Sequence, residues 1–227
     1  MVPLDGQPFW EESGKSYDLL LQEFHRQWVT QPVKYKPLGS GVIIDTKGII
    51  LTNAHVAQMG SPLHVTFRDG SRAEGQVIFV SPKDNMALIK VKPPYVLKAV
   101  NLAWSDDLMA GETVVAVASP LGPENAVSLG VVSGTHRSFS LSPQGSVFTD
   151  LIQTDLTLTL GYSGGALFNL DGELVGMNLA VTGQAPGIGF AVSHVKIKEV
   201  MDQFYLVNRF AEERENAIEQ ALPVKRR

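Results

Sequence analysis

The 227-residue chain has no cysteine, which excludes disulfide staples and thiolate metal sites and leaves the redox character of its compartment open. It also lacks any uninterrupted run of about 18 apolar residues, so no membrane-spanning helix is expected. The opening stretch "MVPLDGQPFWEESGK" carries acids and a proline where a secretory leader needs a basic start and an apolar run, so no leader is read there. Excess charge is small: 19 Lys and Arg against 23 Asp and Glu give a net charge of -4. That balance offers no electrostatic footprint for nucleic acid, and the one basic cluster, Lys225, Arg226 and Arg227, reads as a solvated C-terminal tip. The five histidines show neither HExxH spacing nor flanking carboxylate clusters. No metal site and no cofactor is therefore expected. His25, His64, His136 and His194 are read as surface residues.

What is present is a chain with 44% hydrophobic residues, enough for one large domain or two packed lobes with a buried core. Leu20, Phe24 and Trp28 recur at steps of four, predicting an amphipathic helix that Pro32 ends. That helix either docks on the main body or forms an oligomer contact, since Phe9 and Trp10 also precede the domain. From Gly39 the texture changes to short β-branched runs between turn residues. "GVIIDTKGIILTN" predicts a hairpin around Asp45 to Gly48, and "LHVTFRDGSRAEGQVIFV" a second one turning at Asp69 and Gly70. Further strands are expected in "MALIKV", "TVVAVAS", "AVSLGVVSGTHR", "VFTDLIQTD", "GALFNL", "ELVGMNLAV" and "GIGFAVS". Turn signals roughly every ten residues favour an all-β barrel or sandwich over βαβ alternation. A last helix is predicted from about His194 to Ala221, with Val195, Val200, Met201 and Phe204 on one face. The resulting division is an N-terminal segment over 1–38, a main domain over 39–205 and a charged helical tail over 206–227.

Two short motifs carry the chemistry. "GYSGGAL" places Ser163 between glycines, and "LTNAHVA" places His55 directly after a hairpin strand. Either alone fits a tight turn or a capping residue. Together, a histidine followed far downstream by a glycine-flanked serine is one of the chain orders of a hydrolytic triad.

With "GSGVIIDTKGIILTNAHV", "DNMALIKV", "SPLGPENAVSLGVVSG", "QTDLTLTLGYSGGALFNLDGELVGMN" and "GIGFAVS" in this order, the chain resembles the protease domain of the HtrA/Deg family of serine endopeptidases from about Gly39 to Phe204. The resemblance implies a chymotrypsin-like fold of two six-stranded antiparallel β-barrels with the site between them. It implies Ser163 as nucleophile, His55 as general base, and an oxyanion hole of the Gly161 and Ser163 N–H groups together with Tyr162. At the acidic triad position the chain departs from the family: Asn85 aligns there, with Asp84 just before it, and a one-residue bulge would bring Asp84 to His55 instead. Tyr162 also departs, standing where the family has a small polar residue, and is expected to cover the leaving-group side of the cleft. Leu160, in place of the family's proline, is placed with the substrate-binding residues. The resemblance further implies a specificity pocket with Thr157 at its base and walls from Asn178, Leu179 and Ala180 and from Ile188 to Phe190, free of charge and suited to aliphatic side chains. The apolar members of that set equally fit barrel core. Unfolded polypeptide is the implied substrate, pairing with the backbone of Asn178 to Ala180. A homotrimer built on the N-terminal aromatics and a bacterial envelope location, or else a mitochondrion or chloroplast, are implied too. The family's PDZ module is not in the sequence, which reads as an excised protease domain or a single-domain relative. The alternative function is a pseudoprotease that keeps the cleft as a peptide-binding scaffold.

Overall fold

The computed structural model describes residues 38–59, 62–103, 107–120, 125–140, 147–179 and 187–221. The aromatics ahead of Leu38, the helix expected around them and the basic tip lie outside these residues.

The first sheet holds β1 (Val42–Asp45), β2 (Ile49–Asn53), β3 (Leu63–Thr66), β4 (Arg72–Ser81) and β5 (Met86–Val91), in the order β1-β2-β5-β4-β3. Its hairpins turn where glycine supplies positive φ: Gly48 at 91° closes β1–β2 and Gly70 at 82° closes β3–β4. Asp69 secures the second turn by accepting the Ser71 N–H at 2.9 Å. A sixth strand in this barrel was expected from the resemblance. Among the described residues its place is taken by an extended segment that touches β1 through one bond, Val100 N–H to the Ile43 carbonyl at 3.0 Å.

The second sheet is a closed ring. β6 (Asn101–Leu102) runs parallel to β11 at its side, while β7 (Thr113–Ala118), β8 (Ala126–Ser140), β9 (Val147–Thr154), β12 (Gly189–Ser193), β11 (Glu173–Leu179) and β10 (Ala166–Phe168) follow one another around a six-stranded antiparallel barrel that the β10–β11 pairing closes. The fold is all-β and chymotrypsin-like. A short helix α1 (Ala54–Gln58) follows β2, and α2 (His194–Ala221) follows β12. No helix among the described residues is long and apolar enough to cross a membrane.

Three apolar clusters explain the strand patterns. Ile50, Phe67, Ala87, Ile89 and Val91 fill the first barrel, and Val114, Ala116, Val132, Ile152 and Leu167 fill the second. The third cluster joins Leu51, Met86 and Leu88 of the first barrel to Met177, Leu179 and Val192 of the second and to Ile197, Val200 and Phe204 of α2. β2 and β5 are therefore buried on both faces, which is why "IILTN" and "MALIKV" read as near-continuous apolar runs instead of alternating ones. Each such side chain contributes roughly 1.5–3 kcal/mol by leaving water. The burial holds the two barrels together along the seam where β2 delivers His55.

Ser193 begins α2 as its N-cap, accepting the Lys196 N–H at 3.3 Å and donating to Asp150 at 2.6 Å. Asp150 also receives His136 Nδ1 at 2.7 Å, so one carboxylate ties a β8–β9 irregularity to the helix start. His136 and Asp150 both adopt positive φ, 52° and 57°. Burial pushes the Asp150 carboxyl up, but hydrogen bonds from Ser193 and His136 and the nearby positive charges outweigh it, leaving the group below its ordinary value. Because the folded value lies below the unfolded one, the stabilisation is present above about pH 4 and is lost as pH falls through the folded value. Asp150→Asn keeps a residue that tolerates positive φ while removing the charge. It should cost about 1 kcal/mol, or roughly 2–4 °C in Tm, at neutral pH, and the gap between variant and wild type should close on acidification below about pH 4.

His194 corrects one expectation. It is not a surface residue: at 2% exposure it is buried in the first turn of α2, and neither ring nitrogen has a hydrogen-bond partner among the described residues.

Candidate active site

His55 lies in α1, directly beyond the buried end of β2, so the strand that joins the two barrels also sets its height in the cleft. Its partner comes from the turn before β5. Asn85 sits there at φ 51°, a left-handed conformation that asparagine accepts more readily than most residues. The backbone carbonyl of Asn85 is held by the Ala54 N–H at 3.0 Å and by the Asn53 side-chain amide at 3.1 Å. Its side-chain Oδ1 is then 3.2 Å from the His55 N–H and 3.1 Å from His55 Nδ1. Asp84 points elsewhere, accepting the Ser81 hydroxyl at 2.5 Å. Of the two residues left open by the sequence, Asn85 is the one that faces His55.

The contact also settles which end of the amide meets the ring. A backbone N–H can only donate, so the group 3.2 Å from it must be the amide oxygen and not the NH₂. Nδ1, facing the same oxygen, carries the proton, which leaves Nε2 with the free lone pair. That is the tautomer a general base requires.

Ser163 follows a single 3₁₀ turn over Leu160–Tyr162, closed by the Tyr162 N–H to the Thr159 carbonyl at 2.8 Å. The Tyr162 N–H is thus spent inside the turn, which removes it from the expected oxyanion donors. Its side chain is not over the cleft either. It is buried in the second barrel core, with its hydroxyl 2.9 Å from Ser128 Oγ on β8. Covering an aromatic ring in that core is worth more than laying it across an open cleft, and the hydroxyl finds a partner there. Gly161 packs so closely on Pro120 that a Cβ would collide with it, and Gly164, at φ 81°, leaves no room for a Cβ beside the Ser40 carbonyl. The glycines flanking the serine therefore serve close approach and a positive φ.

The expected specificity residues divide. Thr157 Oγ1 accepts the Gly187 N–H at 3.2 Å, which brings Thr157 next to the segment of Ile188, itself 36% exposed. Leu179 and Phe190 are core instead: both belong to the cluster between the barrels, and the Phe190 ring stacks on Phe139 with centroids 5.2 Å apart. Asn178 is fully buried, and its backbone is bonded to the nucleophile loop, its carbonyl taking the Gly164 N–H at 3.0 Å and its N–H reaching the Gly165 carbonyl at 2.8 Å. Its backbone N–H is therefore spent within the protein. Ala180 lies outside the described residues, as does the Leu160 side chain.

Residues 39–177 match the family model described as trypsin-like peptidase domain. The periplasmic serine endoprotease DegP of Salmonella typhimurium is 40% identical over 177 residues, covering 76% of this chain, and serine protease HTRA1 of Xenopus laevis is 43% identical over 164 residues, covering 72%. A solved HtrA-type protease, AlgW with decapeptide, aligns at 33% identity and a TM-score of 0.66 over 74% of this chain and 51% of its own. This chain belongs to the HtrA-type trypsin-like peptidases. It spans 37% of the DegP sequence and 35% of the HTRA1 sequence.

Two features of this HtrA-type domain were not assigned a role from sequence. Asn53, buried in "LTNAHV", holds the Asn85 carbonyl, and Ser40, in "LGSGVII", reaches the nucleophile loop. The visible signal was a polar residue inside an otherwise apolar or glycine-bounded run, where a buried polar group needs a designated partner.

Proposed function

We propose that the chain is a serine endopeptidase that cleaves unfolded or misfolded polypeptides through an acyl-enzyme, in the service of protein quality control. The observation that carries this is the His55–Asn85 contact at 3.1 Å, with the ring fixed as Nδ1–H, just beyond a strand that Thr52 and Ser40 connect to the Ser163 loop. Ser163 Oγ attacks the peptide carbonyl while His55 Nε2 takes its proton. The N–H groups of Gly161 and Ser163 receive the developing oxyanion. Collapse expels the amine, which takes the proton from Nε2, and water repeats the sequence to release the acid.

Substrate preference follows from the expected pocket residues Thr157 and Ile188, neither of which carries a charge. A lysine or arginine side chain bound between them would find no carboxylate partner in these two residues and would forfeit its hydration. Aliphatic side chains lose nothing by entering. Reduced, unfolded casein should therefore be cut slowly, after Val, Leu and Ile, as read by mass spectrometry of the fragments; cuts confined to Lys and Arg would refute the pocket assignment.

The assembly is proposed to be a homotrimer held by the N-terminal segment, and the location the bacterial envelope, in line with the periplasmic designation of DegP. Phe9, Trp10, Tyr17, Phe24 and Trp28 stand ahead of the domain. Each contributes roughly 1.5–3 kcal/mol if withdrawn from water, and interfaces concentrate energy in such anchors. Light scattering should give a trimer mass for the full chain and a monomer mass when it starts at Lys34. A monomer in both cases removes the assembly role.

A further inference from the structure

Ser40 lies between Gly39 and Gly41, just ahead of β1, and both its backbone and its hydroxyl are bonded to the site. Its N–H donates to the Ser163 carbonyl at 2.8 Å. Its hydroxyl donates to the Gly161 carbonyl at 2.8 Å and accepts the Ser119 N–H at 2.8 Å. Its own carbonyl accepts the Thr52 hydroxyl at 2.7 Å, and Thr52 stands in β2 three residues before His55.

These bonds form a continuous joint from the base-bearing strand to the nucleophile loop. The carbonyls on either side of the Ser163 N–H, those of Gly161 and Ser163, both end on Ser40, and the Tyr162 carbonyl between them takes the Gly165 N–H at 2.9 Å. The Tyr162 carbonyl shares its peptide plane with the Ser163 N–H, and the Gly161 and Ser163 carbonyls lie in the two planes that flank it, so Ser40 fixes the planes on either side of the one that carries the Ser163 donor. The seam is also tight: a Cβ on Gly39 would lie 2.7 Å from Val56 Cγ2 and 2.9 Å from the Ser163 carbonyl, so the chain can pass between α1 and the nucleophile loop only without a side chain at Gly39.

We propose that Ser40 is a positioning residue of the hydrolytic reaction, its hydroxyl holding the Gly161–Ser163 loop in register with the strand that presents His55. The proposal rests on the endopeptidase reading. It predicts a defect in the chemical step, because the Ser40 hydroxyl is engaged by the Gly161 carbonyl and the Ser119 N–H and acts through the loop that carries the oxyanion donors.

Ser40→Ala retains both backbone bonds and removes the hydroxyl, leaving the Gly161 carbonyl and the Ser119 N–H without that partner. We expect kcat to fall about 10- to 100-fold with KM within about twofold, the rate of fluorophosphonate labelling to fall in the same proportion, and Ser40→Thr to recover most of the loss. Amide hydrogen exchange reports on the joint independently of activity: in Ser40→Ala, exchange at Ser119 and across residues 161–165 should rise at least about tenfold, with the strands of the first barrel unchanged. Unchanged kcat, or a rise in exchange spread evenly over the whole domain, overturns the proposal. Were wild type inactive, the endopeptidase reading would fall, and the exchange data alone would decide whether Ser40 holds the loop.

Discussion

Asn85→Asp should raise kcat/KM about 100-fold on an unfolded substrate, almost entirely in kcat. The contact with His55 is already in place and already selects the Nδ1–H tautomer through the shared oxygen that also takes the His55 N–H. What the amide lacks is a negative charge beside the imidazolium that forms as Ser163 gives up its proton. In a well-studied chymotrypsin-fold protease, replacing the triad aspartate by asparagine costs about 10⁴, with the wrong tautomer as the cause. Here the tautomer cost is absent and the charge remains to be gained, which at about 1.4 kcal/mol per decade asks about 2.7 kcal/mol of a partly buried charge-assisted hydrogen bond. Aspartate also tolerates the 51° φ at this position, so stability should change little. If Asp84→Ala abolished activity while Asn85→Asp left it unaltered, Asp84 would be the working partner in solution and the contact described above would not be the functional one.

Ser163→Ala should remove about 10⁴ from kcat/KM. Loss of the nucleophile in a full triad costs about 10⁶, and an enzyme that already lacks roughly two decades of charge stabilisation has that much less to lose. The two substitutions act on one step, so their effects should not add: in a Ser163→Ala background, Asn85→Asp should bring no gain at all. A 100-fold gain that persisted without the hydroxyl would mean that Asn85 acts on something other than the Ser163–His55 proton transfer.

Much of this arrangement was legible from residue patterns. The strands "MALIKV" and "TVVAVA" and the last helix are found where their periodicity placed them, because continuous or alternating burial writes itself directly into residue type. His55 and Ser163 stood out only as a pair, because either alone fits an ordinary turn or cap while a histidine followed far downstream by a glycine-flanked serine is a chain order of hydrolytic triads. Tyr162 was misread because local sequence cannot say whether the aromatic beside a nucleophile turns out to the cleft or in to the barrel. That direction is decided by space under β8 and by the Ser128 hydroxyl, 34 positions away. Leu179 and Phe190 were left open between pocket wall and core, and Asn178 was read as a wall, for a related reason. A β-strand between two barrels shows both faces to protein, so apolar and amide residues there look the same whether they line a pocket or fill a core. The choice between Asp84 and Asn85 rested on backbone conformation, since a left-handed residue before β5 re-aims one side chain and not its neighbour. His194 escaped because burial of an unpartnered imidazole at a helix start has no local sequence signature.

The central claim is that Ser163 is a nucleophile activated by His55, and reaction with a fluorophosphonate followed by intact-mass and peptide-mass measurement tests it most directly. The wild-type protein should take up one adduct, mapped to Ser163, faster in Asn85→Asp and not at all in Ser163→Ala. A folded wild-type protein that stays unmodified under conditions that label a known serine protease, or one whose adduct maps to another residue, would contradict it.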